Sequence, residues 1–193
     1  MNIVENIIKK LRFHHPDISD QTIEELSKYL TKCTFPRKYQ LIKEGIFCRV
    51  AYFIEKGITR SFWLVDGEEV TTSFSTEGDI VFSMDELYFG KISEEFVETI
   101  EEAVVYRINL DDLNHLFETN IELANWGRKI HQYEYRRIHQ THKERLTLSV
   151  TERYQQMKIQ FPDVCARVNL GFIASYIGTT LPTLSRIRGS IED

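Results

Sequence analysis

The stretch LGFIASYIGTTLPTLSRIR, residues 170–188, decides how the C-terminal part of the chain folds. Asn169 stands just before it, and an asparagine side chain can accept from a free N–H at the start of a helix, here Leu170 to Ile177. Gly178-Thr179-Thr180 then makes a turn, and Pro182 falls in the first turn of a second helix, where its missing N–H costs nothing. Ala174 and Gly178 are small where two helices must cross closely. Ile173, Ile177, Leu184 and Ile187 supply the apolar faces that hold them. The pattern is a helix-turn-helix.

Upstream, Ser149-Val150-Thr151-Glu152 reads as a capping box, in which the hydroxyl and the carboxylate satisfy opposing backbone N–H groups. The helix it opens is expected to end at Phe161-Pro162. Between Gly90 and Pro162 the only Gly or Pro is Gly127, and after Asn109 the strand signal stops, so a long helix is expected. Leu116, Leu123 and Ile130 are spaced by heptads, as are Trp126 and Tyr133, giving about two heptads of an apolar seam. Arg137 and Gln140 take the next core positions, and the seam drifts onto Tyr135, Ile138 and His142, as a helical period of about 3.6 demands. This helix is read as a dimer helix, with Leu123, Trp126, Ile130, Tyr133 and Arg137 at the interface. The alternative is a helix packed on its own β-domain.

Between residues 35 and 109 the pattern differs. Short β-branched and aromatic runs, at Ala51–Ile54, Ile58–Leu64, Glu68–Ser75, Phe96–Ile100 and Ala103–Asn109, alternate with Gly45, Gly57, Gly67, Gly78 and Gly90. Turn residues at this even spacing between strand-like runs indicate an all-β roll or sandwich rather than alternating βαβ units. A lead-in helix precedes it: Ser19 or Asp20 is the cap, Ile23, Leu26, Leu30 and Cys33 are its apolar face, and it is expected to end before Phe35-Pro36.

A length of 193 residues suits one domain of roughly 120 residues with a smaller one beside it. With 42% hydrophobic and 27% charged residues, the chain has an ordinary globular composition. No run of about 18 apolar residues and no leader-like N-terminus is evident, so a cytoplasmic protein with no membrane partner is expected. Cys33, Cys48 and Cys165 form no Cys-x-x-Cys pair, which excludes a disulfide framework and a cysteine-built zinc site. The net charge of −5 hides a division: residues 1–127 carry 13 Lys and Arg against 23 Asp and Glu, and residues 128–193 carry 11 against 6. A basic C-terminal third is the footprint expected of a phosphate-contacting module.

Several local matches arrive in order along the chain: Phe35-Pro36, Leu41-Ile42-Lys43-Glu44-Gly45, Tyr52-Phe53-Ile54-Glu55-Lys56-Gly57, Glu77-Gly78-Asp79, and finally Leu170–Gly178 with Leu184-Ser185-Arg186-Ile187-Arg188. In this ordered set the chain resembles the Crp/Fnr family of transcription regulators over nearly its whole length. The resemblance implies an α+β protein: an N-terminal antiparallel β-roll (a double-stranded β-helix, jelly-roll-like) over 1–118, a long dimerisation helix over 119–146, and a C-terminal, winged helix-turn-helix over 147–193. It implies a homodimer whose second helices enter the major groove of duplex DNA at half-sites one turn apart, with RNA polymerase as a further partner. Carried over by position, the DNA-contacting residues are Thr179, Thr180, Leu181, Thr183, Ser185, Arg186 and Arg188. Arg186 is the leading candidate for base or phosphate contact. Where well-known members begin this helix with an Arg-Glu pair, this chain has Leu181-Pro182, and Leu181 can read a thymine methyl instead.

The sensor departs further from the family. Cyclic-nucleotide-binding members hold the ribose with a Gly-Glu element and the cyclic phosphate with an Arg-Ser pair. Here the corresponding stretch, residues 78–86, has no Gly-Glu pair; the pocket positions are Phe82, Ser83, Met84 and Asp85 within it, and Glu94-Glu95 at or near the Arg-Ser position. A carboxylate repels the phosphodiester that an arginine would bind. These residues, with His139 from the dimer helix, are taken as a degenerate effector pocket that does not bind cyclic AMP, and no cofactor is predicted. The cysteine cluster of iron–sulfur relatives is absent, and His139 and His142 read as surface or interface histidines rather than haem or metal ligands. An enzyme of the metal-dependent cupin type would need ligands on the strands, yet no histidine falls between residues 35 and 109, so no catalytic or metal site is expected. The remaining alternative is a ligand-sensing module that regulates a protein partner without touching DNA.

Overall fold

The computed structural model describes residues 5–192, and within them the chain separates into two compact units, one of residues up to 61 with 74–133, the other of 62–73 with 134–192. The first opens with α1 (Glu5–His14) and α2 (Asp20–Lys28). Of the two candidate caps for α2 it is Ser19 that serves: its side chain accepts from the Thr22 N–H. The strands follow as β1 (Thr31–Phe35), β2 (Gln40–Ile42), β3 (Val50–Lys56), β4 (Thr59–Val65), β5 (Glu68–Ser75) and β6 (Ile80–Val81), then α3 (Met84–Phe89), β7 (Phe96–Thr99) and β8 (Ala103–Asn109). They form two four-stranded sheets, ordered β1-β8-β3-β6 and β2-β7-β4-β5.

The expected helix through Leu30 and Cys33 is corrected: α2 stops at Lys28, and Cys33 lies in β1 opposite Val105. The antiparallel ladder from Thr31↔Arg107 to Phe35↔Ala103 gives residues 31–35 backbone partners that helical spacing alone could not reveal. Two glycine turns are sterically required. Gly57, at φ +109°, would place a Cβ 3.0 Å from the Ala103 backbone, and Gly78, at φ +86°, would place one 2.9 Å from the Asn6 carbonyl. Any L side chain at either position meets both strain and a clash.

After β8 come α4 (Leu110–Thr119) and α5 (Ile121–Thr147). The break between them is set by Asn120, whose Oδ1 accepts from the N–H groups of Glu122 (3.0 Å) and Leu123 (3.1 Å). Because the chain turns here, the first part of α5 packs into the core of its own unit. Leu123 and Trp126, expected at a dimer seam, are 1% and 2% exposed. They join Ile7, Leu11, Phe53, Leu113 and Leu116, with Ile130 half-buried against the same cluster. The Trp126 indole stacks on Phe53 at 5.8 Å between centroids, and Gly127 lets the Phe117 ring come close, since a Cβ there would lie 3.1 Å from it. The seam reading is thereby corrected for Leu123 and Trp126. Tyr133 is 56% exposed and meets the Phe13 and His14 rings edge-on.

The second unit takes the remainder of α5 and then α6 (Val150–Gln160), α7 (Pro162–Arg167), α8 (Leu170–Ile177) and α9 (Leu181–Glu192). Its only strand residues among those described are in the arm formed by the ends of β4 and β5. Residues 162–167 fold as the short helix α7, with Pro162 in its first turn. The capping box at Ser149 and Glu152 forms with both its hydrogen bonds.

Leu123→Ala is expected to lose about 2–5 kcal/mol in urea unfolding, equally at every protein concentration, because the loss is a core cavity. A loss that grows on dilution would return Leu123 to an interface.

Candidate nucleic-acid interface

The helix-turn-helix is built by local chemistry. Asn169 Oδ1 accepts from the Gly171 N–H at 2.7 Å and starts α8. Gly178 ends it in the left-handed conformation, φ +73°, and the Thr179 N–H returns to the Ala174 carbonyl at 2.9 Å, the usual closure of a helix by a glycine after its last turn. α9 begins with the Leu184 N–H bonded to the Thr180 carbonyl at 3.0 Å. Ile173, Ala174, Ile177 and Leu184 are buried, as the sequence predicted.

Packing of Leu184 and half-buried Ile187 turns the rest of α9 outward. Thr180, Leu181, Ser185, Arg186 and Arg188 are exposed, and Thr179 and Thr183 are half-buried. All seven residues carried over as DNA contacts therefore lie on one turn and the helix that follows it. The Thr180 and Thr183 hydroxyls are hydrogen-bonded at 3.0 Å, which keeps both at the start of the helix. Arg186 reaches back to the Pro182 carbonyl at 3.4 Å, a long contact on an exposed side chain. From residue 164 to residue 191 the chain carries no carboxylate, so the local charge here comes from Arg167, Arg186 and Arg188 together with the positive end of the α9 dipole.

Part of the basic charge counted from the sequence has a structural task instead. Arg145, on α5, donates to the Tyr176 carbonyl at 2.6 Å. Arg153, on α6, donates to the Ile177 carbonyl at 2.9 Å and to the Leu148 carbonyl at 2.9 Å. Two guanidinium groups thus satisfy the free carbonyls at the C-terminus of α8, where a cation is also favoured by the helix dipole. No local pattern signals this, because the partner carbonyls are 31 and 24 residues away. Nearby, buried Glu144 accepts from the side-chain amides of Gln140 (2.9 Å) and Gln160 (3.2 Å).

In the first unit, the stretch aligned with the ribose-binding element bonds to its own chain's backbone. Ser83 caps α3, accepting from the Glu86 N–H at 3.3 Å. The Glu86 carboxylate accepts from the N–H groups of Cys48 (2.9 Å) and Arg49 (2.6 Å). Asp85 accepts from the Glu94 N–H at 3.1 Å. α3 itself was not predicted, although Ser83 with Glu86 three residues on, and Gly90 beyond, are the signals that would have found it. Glu95 is held at pKa about 7, first by burial and then by the charge of Asp85. Phe82 packs against Tyr88 and His131, and the cleft they share with Trp126 and Ile130 encloses about 10 Å³, room for no more than one water. His131 Nδ1 lies 2.6 Å from the Gly127 carbonyl; a carbonyl only accepts, so Nδ1 is the donor there, and Nε2 is hydrogen-bonded to the Tyr88 hydroxyl. Met84 is 49% exposed. His139 belongs to the second unit, exposed on α5 beside the Tyr135 ring. Among the described residues no group of three or more metal-ligating side chains is gathered, and no helix is long and apolar enough to cross a membrane.

No family model and no curated protein matches the chain. Solved structures do match it. The c-di-GMP-responsive global regulator CLP of Xanthomonas campestris is similar at TM-score 0.72 and 16% identity, over 90% of this chain and 92% of that one. FixK2 of Bradyrhizobium japonicum is similar at TM-score 0.74 and 19% identity, over 84% of each chain. A Eubacterium rectale protein assigned to the transcriptional regulators of the Crp/Fnr family is similar at TM-score 0.71 and 12% identity, over 92% of this chain and 85% of that one. These likenesses establish the fold: the chain has the architecture of the Crp/Fnr regulators.

The Glu95 carboxyl binds its proton more tightly folded than unfolded, since its pKa rises from 4.5 to about 7. Its contribution to stability is therefore greatest below the ordinary value of 4.5 and is lost as pH rises through about 7. Glu95→Gln, neutral at every pH, is expected to gain on the wild type in thermal midpoint across that window. A gap that stays constant with pH would mean that Glu95 is ionised throughout.

Proposed function

We propose that this chain is a non-enzymatic transcription regulator of Crp/Fnr type, which binds duplex DNA as a homodimer and has a sensor region that does not take cyclic AMP. The observation that carries this reading is the outward face of α9: Leu181, Ser185, Arg186 and Arg188 exposed on a helix held by a carboxylate-free helix-turn-helix. In this reading α9 enters the major groove, Arg186 contacts a base edge or phosphate, and Thr180 and Thr183 contact phosphate at the helix N-terminus.

The dimer rests on the later part of α5. There Tyr135, Ile138 and Leu146 are 74%, 62% and 73% exposed, and with His142 they recur at three- and four-residue steps along one face. Large apolar side chains left in water along a helix stripe fit a second copy of the same helix. Ile130, Tyr133 and Arg137 recur on the opposite face of α5, Arg137 being paired with Glu134 at 2.7 Å. The reading of the sensor rests on Glu94 and Glu95, which align at or near the position where cyclic-nucleotide-binding members have their Arg-Ser pair.

Binding to a random duplex, followed by fluorescence anisotropy, is expected to weaken steeply with salt. Arg186→Ala is expected to cost about 1–3 kcal/mol if it reads a base, or to lower the salt slope by about one if it contacts phosphate. Failure of the wild type to be retained on heparin or duplex DNA at low salt would overturn the reading in favour of a module that regulates a protein partner. Titration calorimetry with cyclic AMP is expected to show no binding, and a micromolar or tighter affinity would sink that part of the proposal.

A further inference from the structure

The part of α5 that belongs to the second unit, residues 134–147, leaves one face in water. Tyr135, Ile138 and Leu146 are its apolar side chains, and His139 and His142 lie among them, both exposed. Steps of four, three and four residues lead from Tyr135 through His139 and His142 to Leu146, the spacing that keeps side chains on one face of a helix. The two imidazoles therefore occupy the middle of the stripe, and the His139 ring lies 6.4 Å from that of Tyr135 between centroids.

The charges around them are nearly all of one sign. Arg136 and Lys143 stand three residues before and four after His139, and Arg145 stands three after His142. The one carboxylate between residues 135 and 147 is Glu144, which is buried and already accepts from the Gln140 and Gln160 amides. Of the helices bonded to this part of α5, α8 carries no charged residue, and α6 carries Glu152, Arg153 and Lys158. Glu152 closes the capping box on Ser149, Arg153 is held by the Leu148 and Ile177 carbonyls, and Lys158 lies over the Tyr154 ring. Among the described residues no hydrogen bond or ion pair joins either imidazole to a carboxylate.

We propose that this stripe is an acid-sensitive seam: neutral His139 and His142 let two copies of the chain pair along it, and their protonation drives the copies apart. This rests on the homodimer reading above. A symmetric pair uses the same patch on both copies. With the two helices parallel, each imidazole meets its own counterpart; with them antiparallel, His139 meets His142, because the two stand evenly about the middle of the stripe. Imidazolium faces imidazolium either way. Imidazole gains its charge between about pH 8 and pH 5, and on a surface already basic no carboxylate offsets the repulsion. Pairing is therefore complete above that range and is lost as pH falls through it. A regulator that reads two half-sites as a pair loses its hold on DNA at the same time.

Sedimentation of the full chain at about pH 8 and about pH 5.5, either side of the ordinary imidazole range, tests this. The wild-type dimer is expected to dissociate roughly ten- to hundredfold more readily at the lower pH, with its helix content by circular dichroism unchanged. The double variant His139→Gln, His142→Gln is neutral throughout and is expected to keep one dissociation constant at both. His142→Lys, charged throughout, is expected to be dissociated at both. A wild type that pairs equally at the two values, or a double variant that falls apart in acid as the wild type does, overturns the acid-sensitive seam and leaves the homodimer standing. A wild type that is monomeric at the higher pH removes the homodimer, and the seam with it.

Discussion

Apolar burial of one end of α5 is the constraint on which the remaining assignments depend. Leu123 and Trp126 are taken into the core beneath Phe53, so the helix cannot present its first heptads to a partner. Burying such side chains is worth about 1.5–3 kcal/mol each, more than the few tenths available from a pair of contacts on an exposed helix surface. What α5 has left for another molecule lies further along, at Tyr135, Ile138 and Leu146, where no core of its own covers them. One continuous helix of 27 residues thus has a buried part and an exposed part, divided by packing rather than by any break in its sequence pattern.

The helix-turn-helix shows a complementary division among its charges. Arg186 and Arg188 stand on the outward side of α9, whereas Arg145 and Arg153 are drawn to the carbonyls that end α8. An exposed helix C-terminus would find water for those carbonyls; one packed among α5, α6 and α9 needs side-chain donors. Counting basic residues alone does not tell which of them face outward.

In the first unit the polar side chains that begin α3 are taken up by the chain's own backbone. Ser83, Asp85 and Glu86 bond to backbone N–H groups of their own chain, and the apolar cleft beside them has room for a water at most. A carboxylate already satisfied by two N–H groups has little to gain from a ligand, and it excludes an anionic one.

The sequence by itself determined whatever depends on neighbours a few residues away. The capping box at Ser149, the Asn169 cap, the glycines at 57 and 78 with positive φ, the strands at Glu68–Ser75 and Ala103–Asn109 and the helix pair around Gly178 are all local, because a cap or a tight turn is decided within about four residues. Tertiary structure alone decided which side of α5 meets its own core, that residues 31–35 pair with β8 rather than continue a helix, that two arginines close α8, and that the Ser175 hydroxyl accepts from the Thr71 N–H of β5. Each of those depends on a partner remote in sequence, 104 residues away for Ser175. A side chain carries no mark of a partner that only folding brings to it.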